Sequence, residues 1–298
     1  MSVVAIFVLA VLQGVAEFLP ISSSGHLVIV EGLFRQMGTE ISQPFTLNIV
    51  LHAGTLLSVL VVFWKKIWRL LGADRRVIGL LIVGTIPAAV VGFPLKAYGD
   101  HLLNSPLLAG AMLPFTGIML LWAMRREPGT VDYTEMTYRQ ALCVGLAQAV
   151  ALLPGISRSG STICAGLAVG LKRDAAAAFS FLLAIPAIGG ACVLELRHLL
   201  KEGAVGPNDP SPLILLSAAA VSFVVGVLAL RVLFVALEKG RLRGFAWWCI
   251  FAGVATVVWH LTWPPPPPSE QVPRESSKRV EPVLVRHEPG AQAANFSS

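Results

Sequence analysis

The chain carries Q-G-V-A-E-F-L-P-I-S-S-S-G-H at residues 13–26 and A-Q-A-V-A-L-L-P-G-I-S-R-S-G-S-T at residues 147–162. Each stretch begins as an apolar helix, breaks at a Leu-Pro pair and continues into a cluster of serine and glycine residues. Polar, broken backbone of this kind is tolerated at membrane depth only where it is buried in protein or lines a cavity. Two such breaks at corresponding positions of two halves indicate a binding site between the halves.

The composition is that of an integral membrane protein. The chain is 55% hydrophobic and 13% charged, with a mean hydropathy of +0.72, whereas a soluble domain carries about 25% charged residues. The net charge of +6 comes mainly from basic residues between apolar runs, which indicates membrane orientation rather than nucleic-acid binding. The four cysteines lie singly in apolar stretches, so we expect small buried side chains and no zinc or redox site.

Six stretches are long and apolar enough to cross a bilayer, which takes about 20 residues. Proline interrupts three of them, as membrane helices tolerate, and most of the tryptophans lie near their ends, where interfacial aromatic residues concentrate. The predicted spans are 45–64, 77–93, 106–124, 175–196, 212–233 and 245–263. The prolines are Pro87, Pro114 and Pro186, and the tryptophans are Trp64, Trp68, Trp122, Trp247, Trp259 and Trp263.

Alternate connections between the spans are basic, which predicts that they lie in the cytoplasm. The basic connections are 65–76, 125–139 and 239–243, whereas 94–105 and 197–211 are nearly balanced. Each half then consists of one broken motif followed by three spans, and an odd number of spans inverts the second half. We therefore predict an all-α integral membrane protein with six transmembrane helices and two re-entrant helical hairpins in an inverted-topology repeat. The repeats are 1–125 and 138–263, and together they form a membrane domain over 1–263.

The last 35 residues differ in kind from the rest. Five consecutive prolines occupy 264–268, and a polar segment of mixed charge follows to residue 298. Polyproline is a stiff spacer, and the remainder has too few apolar residues to form a core. We expect residues 264–298 to be a Pro-rich disordered tail outside the membrane domain.

The first motif combines an acid, hydroxyls and an imidazole. Gln13 and Glu17 are four residues apart and share a helix face, and an acid in an apolar helix costs about 2.5–3.5 kcal/mol, so it usually has a partner or a function. Serine in membrane helices often bonds only to nearby carbonyls, and a single histidine is more often a core residue than a catalyst. Their clustering beside a helix break nevertheless favours a functional site. The clustered residues are Glu17, Ser22, Ser23, Ser24, Gly25 and His26.

The second motif supplies a cation. The guanidinium of Arg158 has the planar fork that binds phosphate oxygens in pairs. A helix beginning near Ser161 would direct its positive end toward the same anion. The alternative is a plain ion pair between Arg158 and Glu17, and we expect such a pair in the empty site to yield to the substrate. The surrounding candidates for phosphate binding are Ser157, Ser159, Gly160 and Thr162.

The two motifs closely resemble those of the undecaprenyl-diphosphate phosphatase family of the bacitracin-resistance type. The family signatures are (E/Q)-x-x-x-E, then L-P-x-S-S-[ST]-G-H, and P-G-x-S-R-S-x-x-T. They stand here as Q-G-V-A-E, as L-P-I-S-S-S-G-H and as P-G-I-S-R-S-G-S-T. The similarity covers residues 1 to about 262, including M-T-Y-R-Q-A before the second motif and F-S-F-L-L-A-I-P after it.

The resemblance implies hydrolysis of undecaprenyl diphosphate to the monophosphate, which recycles the lipid carrier of cell-wall synthesis. It also implies a divalent cation, Mg²⁺ or Ca²⁺, a bacterial inner-membrane location and a site open to the periplasmic side. By motif position, the essential residues are Glu17, Ser23, His26 and Arg158. The expected metal ligands are Glu17 and Gln13. Gln13 stands where many members have glutamate, and a neutral amide binds a cation more weakly than a carboxylate.

The sequence leaves several alternatives open. Ser23 is the candidate nucleophile, with His26 or Glu17 as its base, but water could attack directly with Ser23 as a phosphate ligand. An inverted repeat with broken helices also fits a secondary transporter or flippase for a polyprenyl phosphate. The partners expected are the lipid diphosphate and the bilayer, and the sequence leaves a homodimer open. Asn48 and His52 are polar residues on an apolar span. They could line the pocket, but we expect them to form interhelical hydrogen bonds.

Overall fold

The computed structural model describes residues 3–37, 45–202 and 210–263, and the predicted all-α class is confirmed over them. Within these ranges no β-strand forms, and one isolated bridge pairs Val131 with Leu171. A 3₁₀ turn occupies Tyr133–Glu135. The tail predicted at 264–298 lies outside the described residues. The helices are α1 (Val3–Phe18), α2 (Ser23–Gln36), α3 (Phe45–Val62), α4 (Trp64–Leu70), α5 (Arg75–Tyr98), α6 (Asp100–Leu103), α7 (Pro106–Met124), α8 (Tyr138–Val150), α9 (Arg158–Ala168), α10 (Arg173–Glu202), α11 (Pro212–Glu238) and α12 (Arg243–Thr262).

Five of these helices are long and apolar enough to cross a membrane, namely α5, α7, α10, α11 and α12. They correspond to five of the six predicted spans. The remaining predicted span, 45–64, corresponds to α3. Helix α3 meets α4 at a bend of 76°, and the two helices pass as a membrane crossing only when they are taken together. As predicted, α5, α7 and α10 continue through Pro87, Pro114 and Pro186.

The helices that flank the two Leu-Pro breaks are short. They contain 16 residues in α1, 14 in α2, 13 in α8 and 11 in α9, fewer than the roughly 20 that a bilayer crossing takes. Helix α9 begins at Arg158, so the predicted start near Ser161 was three residues too late. The earlier start follows from Ser157, whose side chain accepts a hydrogen bond from Gly160 N–H and caps the helix.

The halves of the chain exchange their packing partners. Helix α1 packs against α11 of the second half, and α8 packs against α5 of the first half. Helices α3 and α10 contact each other, as do α7 and α12. Each short helix before a Leu-Pro break is therefore held by a long helix of the opposite half.

An aromatic cluster fixes the end of α1 beside the first break. The ring of Phe18 meets that of Phe181 edge-on at a centroid distance of 5.8 Å, and Phe63 and Phe234 complete the cluster. Phe18 is fully buried. Because Phe18 follows Glu17 directly, this packing also fixes where the carboxylate of Glu17 points.

Basic segments gather at one end of the helices. The guanidinium of Arg76 donates to the carbonyls of Thr134 and Met136, at 3.1 and 2.6 Å. The side chain of Gln140 donates to the carbonyl of Val169 at 2.8 Å. The Arg76 bonds tie the connection after α7 to the start of α5, and the Gln140 bond ties the start of α8 to the residue that follows α9.

Candidate active site

The first break is a tight turn with an unusual backbone. After α1 ends at Phe18, Ser22 has φ +72°, the only non-glycine positive φ among the described residues. Its hydroxyl accepts a hydrogen bond from Gly25 N–H at 3.3 Å, so it caps α2, which begins at Ser23. Such left-handed backbone is costly outside glycine and concentrates at functional sites.

The second break is held by a residue of α7. Gly155 adopts φ +91°, which favours glycine. The hydroxyl of Thr116 donates to the carbonyl of Gly155 at 2.8 Å and accepts from Ser157 N–H at 3.0 Å. Thr116 was not predicted from the sequence, since it lies about 40 residues from the turn that it holds and nothing in its apolar surroundings distinguishes it.

The two turns touch and exchange hydrogen bonds. Ser22 Oγ donates to the carbonyl of Ile156, and Ser159 Oγ donates to the carbonyl of Leu19, each at 3.4 Å. A Cβ at Gly25 would lie 2.8 Å from the Cα of Gly155. Glycine is therefore required at position 25 because the backbones approach so closely. The predicted convergence of the two motifs is observed.

The carboxylate of Glu17 lies at the centre of the junction. Its Oε1 pairs with Nη2 of Arg158 at 2.7 Å, and its Oε2 accepts from Ser23 Oγ at 2.8 Å and from Gln13 Nε2 at 3.0 Å. The Glu17 and Arg158 side chains are 6% and 20% exposed. The predicted ion pair and the predicted common face of Gln13 and Glu17 are thus both observed. The Nδ1 of His52 bonds to the carbonyl of Asn48 on the same helix, rather than across helices as expected.

Two polar atoms at this junction are buried without a partner. They are Oε1 of Gln13 and Nη1 of Arg158. Buried polar atoms nearly always have a hydrogen-bond partner in native proteins, so each such exception calls for an explanation. One is an oxygen acceptor and the other is a cationic donor, which suits a ligand that carries a cation and an anion together.

His26 is held away from Ser23 by two other contacts. Its Nδ1 lies 2.8 Å from the carbonyl oxygen of Ser22, and its Nε2 lies 2.9 Å from the indole Nε1 of Trp248. Neither ring nitrogen bonds to Ser23, whose hydroxyl donates to Glu17 instead. Trp248 was not predicted from the sequence either, because it lies in the apolar run of α12 beside another tryptophan and nothing distinguishes it there.

Several predicted phosphate ligands are already engaged within the protein. The hydroxyls of Ser22 and Ser157 cap α2 and α9, and Ser157 Oγ also lies 3.2 Å from Ser159 Oγ. Thr162 bonds to carbonyls of its own helix and to Ser180 of α10, a contact the sequence did not indicate. Ser24 is exposed. The starts of α2 and α9 nevertheless converge here, and two helix N-termini favour an anion.

The protein oxygens at the junction fit a divalent cation only if a bound substrate supplies further oxygen atoms. The described residues contain no group of three or more histidine, cysteine, aspartate or glutamate side chains that could hold a metal ion. Gln13 Oε1 is free beside the Glu17 carboxylate. Because Mg²⁺ is commonly held by one or two protein oxygens plus substrate phosphates, these residues fit a cation that a diphosphate helps to bind.

Comparison with known proteins identifies the family. The family described as "Bacitracin resistance protein BacA" matches residues 6–255. An "Undecaprenyl-diphosphatase" of Rhodopirellula baltica is 51% identical over 258 residues, which covers 87% of this chain and 98% of that protein. Proteins of the same description from Desulfatibacillum aliphaticivorans and Methanosphaera stadtmanae are 41% and 35% identical, covering 85% and 87% of this chain and 97% and 98% of their own lengths. The chain belongs to the bacitracin resistance protein BacA family.

Proposed function

We propose that this protein hydrolyses undecaprenyl diphosphate to undecaprenyl phosphate and inorganic phosphate, and so recycles the lipid carrier of cell-wall synthesis. The observation that carries the proposal is the contact among Glu17, Ser23 and Arg158, because it joins a base, a nucleophile and a phosphate-binding cation in one buried network. The relatives described as undecaprenyl-diphosphatases match over nearly their whole length, which supports the same activity.

The proposed architecture is six transmembrane helices and two re-entrant hairpins, in inverted repeats over 1–125 and 138–263. The shortness of the helices at each break supports the hairpins. The exchanged packing of α1 on α11 and of α8 on α5 supports the repeat, because a two-fold relation converts one pair into the other. Residues 1–263 would form the catalytic domain.

The proposed location is the bacterial inner membrane, with the basic segments in the cytoplasm and the site open to the periplasm. Arg76 donates to the carbonyls of Thr134 and Met136, so the basic connections 65–76 and 125–139 meet at one end of the helices, as the positive-inside rule favours. Gln36 at the end of α2 bonds to Trp259 near the end of α12. Under this orientation that bond lies toward the periplasmic side, and the first hairpin dips inward from there.

Substrate binding would open the ion pair. The terminal phosphate accepts hydrogen bonds from Nη1 of Arg158, which has no partner in the protein, and then from Nη2 as Glu17 is released. Arginine binds phosphate oxygens in pairs more strongly than a point charge does. The N-termini of α2 and α9 add partial positive charge, and the isoprenyl chain stays in the lipid.

Glu17 is the base that the geometry favours. Its Oε2 already accepts the Ser23 hydroxyl at 2.8 Å, whereas both nitrogens of His26 have other partners. Ser23 Oγ attacks the terminal phosphorus, its proton passes to Glu17, and the P–O–P bond breaks with undecaprenyl phosphate as the leaving group. Water then hydrolyses the phosphoserine and releases phosphate. In the rival route water attacks directly, and trapping phosphorylated Ser23 separates the two.

A divalent cation, Mg²⁺ or Ca²⁺, would be held by Gln13 Oε1, by Glu17 and by the diphosphate itself. It would supply neutralisation of charge on the leaving phosphate. The protein's own contribution is orientation and electrostatic stabilisation, which carry most of the catalysis in phosphoryl transfer.

Phosphate release in detergent tests the proposal, because micelles have no compartments and so exclude a purely transporting role. The purified full-length chain in dodecyl maltoside should release phosphate from undecaprenyl diphosphate with Mg²⁺ or Ca²⁺ present. Release should fall on adding chelator and be lost in Arg158→Ala that elutes and folds like the wild type. An absence of release in every cation condition would overturn the enzyme proposal, and the secondary transporter would then be the remaining candidate.

A further inference from the structure

Trp248 joins the lipid-facing surface to a buried residue of the site. Its side chain is 52% exposed, yet its indole N–H reaches Nε2 of His26, which is only 9% exposed. The two ring planes lie within 11° of parallel with centroids 6.1 Å apart.

This bond fixes the protonation pattern of His26. An indole nitrogen can only donate, so Nε2 of His26 must accept and carries no proton. The carbonyl oxygen of Ser22 can only accept, so Nδ1 must carry the proton. His26 is therefore the neutral Nδ1–H tautomer, and it has no free lone pair for the Ser23 hydroxyl.

The other contact of His26 reaches the strained residue before the nucleophile. The carbonyl of Ser22 accepts from Nδ1 of His26 at 2.8 Å and from the backbone N–H of His26 at 3.2 Å. Ser22 has φ +72° and ψ 96°, and such a conformation persists only where its surroundings determine it fully. The orientation of Ser22 sets where the following Ser23 hydroxyl meets Glu17.

We propose that Trp248 is a positioning residue of the site: it holds His26 in the Nδ1–H tautomer so that His26 fixes the Ser22 carbonyl and presents Ser23 to Glu17. The proposal rests on the proposed phosphatase function for its kinetic test. In metal and hydrolase sites, a hydrogen bond to one ring nitrogen of a histidine likewise fixes its tautomer and its orientation. Trp248 touches no reacting atom and acts only through His26.

Helix α12 supplies matched controls. Trp259 lies on the same helix and also donates its indole N–H to α2, but to Gln36 at the opposite end, at 2.7 Å. Trp247 is adjacent to Trp248 and 60% exposed, and its indole N–H bonds to none of the described residues. Phenylalanine at 259 tests the loss of an indole bond to α2, and phenylalanine at 247 tests the loss of an indole from the lipid face.

Two variants of Trp248 separate the hydrogen bond from the ring. Trp248→Phe keeps an aromatic ring without a donor, and Trp248→Gln keeps a donor at similar reach without the ring. We expect Trp248→Phe to lower kcat about tenfold with little change in KM, since one hydrogen bond to a buried group is lost. Trp248→Gln should retain more activity than Trp248→Phe, and Trp259→Phe and Trp247→Phe should stay within about twofold of the wild type.

The tautomer is measured directly by ¹⁵N NMR of histidine-labelled protein in micelles, with His26→Gln to assign the signal. The wild type should show His26 protonated only at Nδ1, and Trp248→Phe should show a mixture of tautomers. A wild-type His26 protonated at Nε2, an unchanged kcat in folded Trp248→Phe, or an equal loss in Trp259→Phe would each overturn the proposal. If the wild type releases no phosphate, the proposed function falls, while the NMR measurement on the unaltered chain still decides the tautomer.

Discussion

The buried ion pair between Glu17 and Arg158 should stabilise the fold and serve catalysis in ways that mutation can separate. The perturbations are Arg158→Met, Glu17→Gln and the double variant. Removing one partner leaves the other charge buried beside its remaining neutral contacts, whereas the double variant removes both charges. A cycle of these variants isolates the coupling between the two side chains.

The expected magnitudes follow from burial. Breaking a buried pair by removing one partner costs about 3–5 kcal/mol. Glu17 keeps its bonds from Ser23 and Gln13 when Arg158 is lost, so we expect the lower end, about 3 kcal/mol or a roughly 150-fold shift of the unfolding equilibrium. Arg158 is 20% exposed and remains partly solvated without Glu17, so Glu17→Gln should cost about 2 kcal/mol. The double variant should also cost about 2 kcal/mol, which gives a coupling near 3 kcal/mol.

The assay is reversible unfolding in dodecyl maltoside with increasing dodecyl sulfate, followed by far-UV circular dichroism. The pair of Arg69 and Asp74 is the matched control, since Nε and Oδ2 lie 2.9 Å apart but the arginine side chain is 62% exposed. Its coupling should be about 1 kcal/mol or less. Turnover should fall by about a thousandfold in all three site variants.

The decisive result is a double variant that is as stable as Glu17→Gln and more stable than Arg158→Met, while its turnover stays lost. A coupling no larger than that of the Arg69–Asp74 pair would refute the energetic argument from burial. Near-normal turnover in folded Arg158→Met would refute the assignment of its guanidinium to the phosphate.

Three further outcomes are expected. Ser23→Ala should lose turnover about a thousandfold while Ser24→Ala, at an exposed hydroxyl, loses less than about tenfold in the phosphate-release assay; equal effects would contradict the nucleophile assignment. Gly155→Ala should unfold at lower denaturant because φ is +91° and a Cβ would strike backbone, whereas Gly72→Ala, with open space around it, should be neutral within about 0.5 kcal/mol. Gln13→Glu should lower the half-saturating Mg²⁺ concentration for turnover, because it adds a carboxylate to the cation site; an unchanged titration curve would exclude position 13 as a ligand.

Local patterns sufficed for the parts of this fold that depend on neighbours in sequence. The spacing of Gln13 and Glu17 predicted their shared face, and hydropathy predicted the long helices. The start of α9 was predicted late because the helix was expected to begin near Ser161 rather than at Arg158. Ser157 had the signature of an N-cap three residues before Gly160, so that error was avoidable.

Partners that are distant in sequence could not be predicted in this way. Trp248 meets His26 across 222 positions and Thr116 meets Ser157 across 41, and neither has a periodic or compositional signal. The same limit explains why the sequence left His26 and Glu17 equally eligible as the base. The choice between them depends on which ring nitrogen of His26 carries the proton, and Trp248 of the last helix determines that.

The arrangement of hydroxyls at the junction indicates how the site can be both rigid and reactive. Ser22, Ser157 and Ser159 are engaged in caps and in bonds between the two turns, so their hydroxyls hold the junction together rather than await a substrate. Ser23 differs because, among the described residues, its hydroxyl bonds only to Glu17. Glu17 is paired with Arg158, whose guanidinium would bind a phosphate instead once the substrate enters. When a diphosphate draws Arg158 away, Glu17 is released from its ion pair while its Oε2 still accepts the hydroxyl of Ser23. Substrate binding and activation of the nucleophile are thereby coupled through a single carboxylate, which requires the two halves of the chain to meet within hydrogen-bond distance.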